Sequence, residues 1–400
     1  MRVLMLTPYL PYPLLSGGQI RTYNLLKNLS KKHDITLFAL IKDESERAHM
    51  KELEKYCTKV LVFKRSEKPF TLQNIITTGF STFPFLVIRN LVSQVRDAVK
   101  QELQSAQYDL IHAETFYMMP NIPKTTIPVL LVEQTIEYLG YLSYAQSSRM
   151  WLVKPLLYID IFKIRWWEEF FWRSCSRLVV MSQEDKTYLQ RTAQGIQRID
   201  VVENGVDVEY FQKTRKNLPK EPTVLFVGTF KWLPNVEGVH FLVQKVWPLI
   251  RKQIPEAKLH IVGSSPTTDI YAYAEQDKHI TVSGKVQDIR DAYAQAHVLV
   301  APIFSGKGTR YKVLEAFATG TPVVASRLAV EGLHIEKGEH ALIGNSEEEL
   351  AESTVHVLQH PKVQEKLAKN GMNLVFKEYN WSNISAKLDA IYSELGTVNE

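Results

Sequence analysis

The stretch from Gly306 to Gly320 gathers the residues best suited to chemistry. Its first half offers Gly306, Lys307, Gly308, Thr309 and Arg310: small residues, backbone N–H groups and cations. Its second half turns apolar and carries Lys312 and one carboxylate, Glu315. A nucleoside diphosphate matches that set, with phosphates against N–H groups and cations and ribose hydroxyls against Glu315. A helix starting here adds roughly half a positive charge at its N-terminus, where the phosphates would lie. The plainer reading of Arg310 and Lys312 is a solvated helix start. Cations disfavour that position unless an anion is near, which argues for a ligand.

A second loop, Pro13 to Gln19, carries Gly17 and Gly18 ahead of a helix that includes Arg21. Paired glycines let a backbone approach a ligand closely, although a structural turn explains them equally well. The loop is not G-x-G-x-x-G, and no acidic residue follows at the distance a dinucleotide fold requires. That weighs against an oxidoreductase. His112, Glu114 and Glu137 follow strand-like runs and are acceptor-side candidates, with capping or core satisfaction as the plainer alternative.

These residues need a scaffold. Apolar runs alternate with amphipathic stretches: Val3–Leu6, Ile35–Leu40, Val60–Phe63, Leu110–His112, Val129–Glu133 and Leu178–Met181, then Thr223–Val227, Leu259–Val262, Ile280–Val282, Val298–Ala301 and Val323–Ala325. Helical patterns fall between them, as at Ile20–Lys31 and Val236–Ile254. Near-continuous apolar strands between helices imply α/β architecture with parallel sheets covered on both faces. At 400 residues two cores are expected. The pattern predicts two Rossmann-like, doubly wound domains facing across a cleft: residues 1–205, a linker at 206–222, residues 223–378, and a C-terminal helix at 379–400.

Hydrophobic residues at 45% and charged residues at 23% suit a soluble globular protein, and a net charge of +5 is too small to argue for nucleic acid. Cys57 and Cys175 lack metal-ligand spacing, so neither a zinc site nor a disulfide framework is expected and a reducing compartment is implied. No run of eighteen apolar residues suggests a membrane span. Trp151 to Trp172 interleaves aromatics with cations around most of a helix circumference. Packing against the first sheet is one reading; contact with an anionic membrane surface is the other.

The ordered motifs resemble glycosyltransferase family 4, which has the GT-B architecture. They are Val202-Glu203-Asn204-Gly205-Val206-Asp207, Phe226-Val227-Gly228-Thr229, Leu259-His260-Ile261-Val262-Gly263, Ser283-Gly284-Lys285-Val286, the 306–320 loop, and Gly320-Thr321-Pro322-Val323-Val324-Ala325. Ser16-Gly17-Gly18 and Tyr108-Asp109-Leu110-Ile111-His112 extend the likeness into the first half, and Trp232-Leu233-Pro234-Asn235-Val236 resembles a bacterial exopolysaccharide branch. The resemblance implies a retaining, metal-independent transferase that takes a nucleoside-diphosphate sugar, UDP or GDP, as donor substrate, needs no cofactor and glycosylates a glycan or lipid-linked acceptor. No Asp-x-Asp cluster for a divalent cation is found.

By resemblance the donor site comprises Gly17, Gly18, Gly228, Thr229, Lys231, Lys285, Val286, Lys307, Gly308, Thr309 and Glu315, with Glu315, Lys312, Arg310 and Gln134 doing catalytic work. Several positions depart from the family pattern. Lys307 stands where a first glutamate is usual, Thr229 and Asn235 where cations are usual, and Gln134 where many relatives carry histidine. Lys231, Arg310 and Lys312 are the candidates to restore the lost charge. A sugar-nucleotide epimerase of the same architecture and a catalytically decayed nucleotide-binding scaffold are the alternatives. The expected place is the cytoplasm, with the inner face of the plasma membrane as the surface Trp151–Trp172 would meet.

Overall fold

The computed structural model describes residues 1–68, 70–147, 152–196, 198–306, 308 and 311–396. They form two compact units, Met1–Glu203 joined by the chain from Ile384 on, and Asn204–Asn383.

The first unit is a seven-stranded parallel sheet of β1 (Arg2–Thr7), β2 (Asp34–Ile41), β3 (Lys59–Lys64), β4 (Leu110–Glu114), β5 (Val129–Glu133), β6 (Arg177–Val180) and β7 (Ile199–Val201), in the order β3-β2-β1-β4-β5-β6-β7. Val3 pairs with Ile35 on one side and Leu110 on the other. All five residues of β4 are buried, as a central strand covered on both faces requires. The helix Gly17–Leu29 follows β1, is capped by the Ser16 side chain on Gln19 N–H, and buries Leu25, Leu26 and Leu29.

The second unit is a six-stranded parallel sheet of β8 (Thr223–Val227), β9 (Lys258–Val262), β10 (Ile280–Ser283), β11 (Val298–Ala301), β12 (Val323–Ala325) and β13 (Leu342–Ile343), in the order β10-β9-β8-β11-β12-β13. The expected doubly wound α/β fold is thus observed twice. The edge strands β7 and β13 escaped the sequence reading because three and two residues carry too little pattern. The 206–222 stretch, expected as linker, belongs with the second unit and holds the short helix Val208–Phe211, whose Val208 and Phe211 are buried.

Strand order fixes where ligands fit. In open α/β sheets they bind beyond the strand C-termini where the winding direction reverses. That point lies between β1 and β4 in the first unit and between β8 and β11 in the second.

Candidate functional site

At the second unit's reversal, β8 runs into Gly228-Thr229 and β11 into the loop ending in helix Tyr311–Ala318. Close packing explains the glycines. A Cβ on Gly263 would lie 1.6 Å from Gly228 O, and one on Gly228 2.9 Å from Asn235 Cγ. Asn235 Nδ2 donates to Thr229 O at 2.9 Å, which leaves Asn235 Oδ1 to accept from Lys312 Nζ at 2.7 Å. The ammonium also sits 4.7 Å from the Phe226 ring centroid. A buried lysine from the first turn of this helix therefore stands beside Asn235 in the segment after β8.

One turn on, Glu315 Oε2 accepts from the Tyr293 hydroxyl at 2.9 Å, and that hydroxyl also lies 3.1 Å from Lys312 O. Burial pushes the Glu315 carboxyl above its ordinary value, although the Tyr293 hydrogen bond and the Lys312 charge oppose the rise. Gly306 and Gly308 take left-handed φ values of 81° and 97°, which side chains disfavour. Ser305 Oγ donates to Glu237 Oε2 at 2.5 Å. Lys231 and Lys285 are exposed, Thr229 and Val286 half-buried. Lys307, Thr309 and Arg310 lie outside the described residues.

The first unit's reversal brings together Gly18, Glu114 and Gln134. Gln134 Nε2 donates to Glu114 Oε2 at 2.8 Å and to the Tyr9 hydroxyl at 2.6 Å. Behind Glu114, His112 Nε2 lies 3.2 Å from Oε1 and His112 Nδ1 lies 2.5 Å from the Tyr392 hydroxyl. Burial raises the Glu114 carboxyl, but the His112 contact, the Arg21 guanidinium and the Gln134 amide outweigh it, and the net shift is downward. An ionised carboxylate only accepts, so both Gln134 N–H groups point inward and its carbonyl oxygen faces Gly18. A Cβ on Gly18 would come within 2.6 Å of the Tyr9 hydroxyl and 2.7 Å of Gln134 Oε1.

His112 and Glu114 are fully buried, so neither reaches a surface where an acceptor could touch it. They position Gln134, which is half-buried. Glu137 is half-buried as well, in a different setting. Its backbone N–H donates to Glu168 Oε1 at 2.7 Å, and Tyr138 N–H donates to Glu168 Oε2 at 3.0 Å. Glu133 Oε1 accepts from Trp172 Nε1 at 3.0 Å. Burial raises the Glu133, Glu137 and Glu168 carboxyls, Glu137 to about 7. Among the described residues no group of three His, Cys, Asp or Glu could hold a metal ion.

Sequence reasoning singled out Lys312, Glu315, Gln134, Gly18 and His112 but missed the partners Tyr293, Tyr9 and Tyr392. These hydroxyls lie 22, 125 and, for Tyr392 to His112, 280 positions from the groups they hold. Such separations leave no local pattern.

Two family models match the chain, "Glycosyltransferase Family 4" over residues 15–210 and "Glycosyl transferases group 1" over residues 221–360. A Klebsiella pneumoniae "uncharacterized 44.6 kDa protein in cps region" is 20% identical over 97% of this chain and 98% of its own length. A phosphatidyl-myo-inositol mannosyltransferase from Mycobacterium leprae is 25% identical over 76% of this chain and 78% of its own. The fold matches sucrose-phosphate synthase from Thermosynechococcus elongatus at a TM-score of 0.71, with 18% identity and full coverage of both chains. Anabaena HepE, solved with UDP and glucose, matches at a TM-score of 0.65 with 16% identity, covering 98% of this chain and 100% of its own. The paired parallel sheets and the two family matches, which together run from residue 15 to residue 360, identify the chain as a GT-B glycosyltransferase belonging to family 4.

Proposed function

We propose that the protein moves a glycosyl group from a nucleoside-diphosphate sugar, UDP or GDP, to a glycan or lipid-linked acceptor in the synthesis of a bacterial surface polysaccharide or glycoconjugate. The observation that carries the reading is the Lys312 ammonium, held by Asn235 Oδ1 and the Phe226 ring one turn from Glu315. In transfer, the bond from the anomeric carbon to the β-phosphate oxygen breaks and the acceptor hydroxyl oxygen forms the new bond. The hydroxyl proton leaves with the diphosphate. Negative charge grows on the departing phosphate, and fixed cations and N–H groups stabilise it without reorganising. Lys312 supplies such a charge, Arg310, Lys231, Lys307, Gly308 and Thr309 are assigned to the same diphosphate, and Glu315 is assigned to the ribose.

Lys285 and Val286 meet the base through their backbone, and Gly228 and Thr229 lie against the diphosphate. On the first unit Gly17 and Gly18 flank the donor, Gln134 accepts from a sugar hydroxyl, and Glu137 lies on the acceptor side. Metal independence and retention belong to the same reading. HepE, crystallised with UDP-glucose, and the mycobacterial mannosyltransferase, named for phosphatidyl-myo-inositol, support UDP and a lipid-type acceptor respectively. A membrane-borne acceptor also places the enzyme peripherally at the inner face of the plasma membrane. No helix among the described residues is long and apolar enough to cross a membrane.

A thermal-shift panel with UDP, GDP, ADP and their sugar conjugates tests the donor assignment, because a bound ligand raises the melting temperature in proportion to RT ln(1 + [L]/Kd). Stabilisation by UDP or GDP and its sugars is expected. A flat response across the panel contradicts the proposal. Release of a rearranged nucleotide sugar without any acceptor would point to an epimerase.

A further inference from the structure

Arg65 follows β3 directly, and its N–H donates to Ile41 O at 2.9 Å, which places it at the C-terminal edge of the first sheet. Arg89 lies on the short helix Phe85–Asn90. Arg65 Nη1 donates to Asn90 Oδ1, on the residue next to Arg89. Asn90 is buried and fixed in turn: its Nδ2 donates to Leu86 O at 2.7 Å, and its carbonyl accepts from Asn121 Nδ2 at 3.1 Å. Asn121 ends the turn Phe116–Asn121, which carries Tyr117. One asparagine pair thus holds three segments together.

Two guanidiniums meet here without a counterion. Both arginines are half-buried, and the Nε of each is buried without a hydrogen-bond partner. Among the described residues neither has an ion pair. Burial and then the Arg89 charge push the Arg65 guanidinium down to about 10 from 12.5, so both cations stay charged at neutral pH and repel each other. The carboxylate whose charge reaches Arg65 is Glu46, and it already accepts from Lys42 N–H at 2.8 Å and Asp43 N–H at 3.0 Å. Tyr141 lies in the field of Arg89, Glu137 and Asp160, and among the described residues its hydroxyl has no hydrogen-bond partner. Asp160 is engaged as well, accepting from Phe85 N–H at 2.9 Å. Cations withdrawn from water without a partner are costly, and a bound anion offsets that cost.

We propose that Arg65 and Arg89 bind a phosphate monoester carried by the acceptor, with the Tyr141 hydroxyl as a further donor. Such a group carries roughly −1.5 to −2 charges at neutral pH, enough to offset both guanidiniums, whereas a carboxylate leaves one uncompensated. Its oxygens can take paired N–H groups from two arginines at once. The position suits an acceptor. Arg65, Tyr117 and Gln134 follow β3, β4 and β5 on the C-terminal edge of one parallel sheet, where open α/β sheets bind ligands. Tyr117 lies in the field of Arg65 and also of Glu137 and Tyr9, and the Tyr9 hydroxyl accepts from Gln134. The inference rests on the first unit as the acceptor side, but phosphate binding is measured without turnover, so either can fail alone.

The test is the rise in melting temperature of the full chain with inorganic phosphate, glycerol 1-phosphate or acetate, at an ionic strength held constant with sodium chloride. Wild type is stabilised by both phosphates and not by acetate. Arg89→Gln needs at least ~10-fold more of either phosphate for the same rise, while its melting temperature in chloride alone is undiminished. Arg65→Gln, read in the same way, shows the same weakening, so the result does not hang on one variant. Lys312→Met, which removes a cation of the second unit, keeps the rise. No rise in wild type, or an equal rise with acetate, overturns the proposal. So does a rise that Lys312→Met loses and Arg89→Gln keeps, since the phosphate then sits against the second unit. Stabilisation by inorganic phosphate without glycerol 1-phosphate also overturns it, because the site then takes a free anion and no ester.

Discussion

Gln134 donates to Glu114 Oε2 at 2.8 Å, and this bond decides which end of the Gln134 amide faces outward. With both N–H groups engaged, the glutamine presents only an acceptor beside Gly18. It suits a neutral hydroxyl and repels a phosphate oxygen.

Glu114→Gln removes the anion that holds the amide. About 1–3 kcal/mol of stability is expected to go with it, because buried donors lose their acceptor. Turnover falls as well. Chemical denaturation and initial rates measured together check both parts, and an unchanged rate separates the buried network from catalysis.

Gly18→Ala places a methyl within 2.7 Å of Gln134 Oε1 and 2.6 Å of the Tyr9 hydroxyl. Displacing either costs about 1–3 kcal/mol. The expected signature is a larger loss of kcat than of melting temperature. A fully active variant would show that Gln134 need not stay where it is.

Lys312→Met keeps most of the volume over Phe226 and deletes the charge. Losing a charged hydrogen bond is worth about 1.5–3 kcal/mol, or roughly 10- to 100-fold in nucleoside-diphosphate affinity. Nucleosides, which lack phosphate, should bind variant and wild type alike. Equal loss for both ligands means that the fold and not the charge was damaged.

Glu137 gives a pH signature. Burial lifts its carboxyl to about 7 from an ordinary 4.5, so the folded state favours the protonated form. That stability is fully present below the unfolded value and is lost as pH rises through about 7. Glu137→Gln removes the cost of ionisation. Its stabilisation should be about 1–3 kcal/mol greater at pH 8 than at pH 5, read from melting curves at the two values.

The sheets were legible because buried parallel strands read as continuous apolar runs: Val3–Leu6 lies within β1, and Val129–Glu133 coincides with β5. Lys312 and Glu315 were singled out from residue type and place. The Asn235 contact was not, since it spans 77 positions. The aromatic circumference at Trp151–Trp172 pointed two ways at once, and the structure shows why: over the described part, one face enters the core and another faces out. The 72–80 helix went unnoticed because an apolar stripe is ordinarily assigned to the interior, and here it is on the surface.

Glu315 decides the central claim. Isothermal titration of UDP and GDP into wild type and Glu315→Ala measures it directly, since the carboxylate is assigned to the ribose. One nucleotide should bind wild type at one site per chain, with affinity falling at least ~10-fold in the variant. Equal affinity in both proteins, or no binding of either nucleotide to wild type, would contradict the assignment.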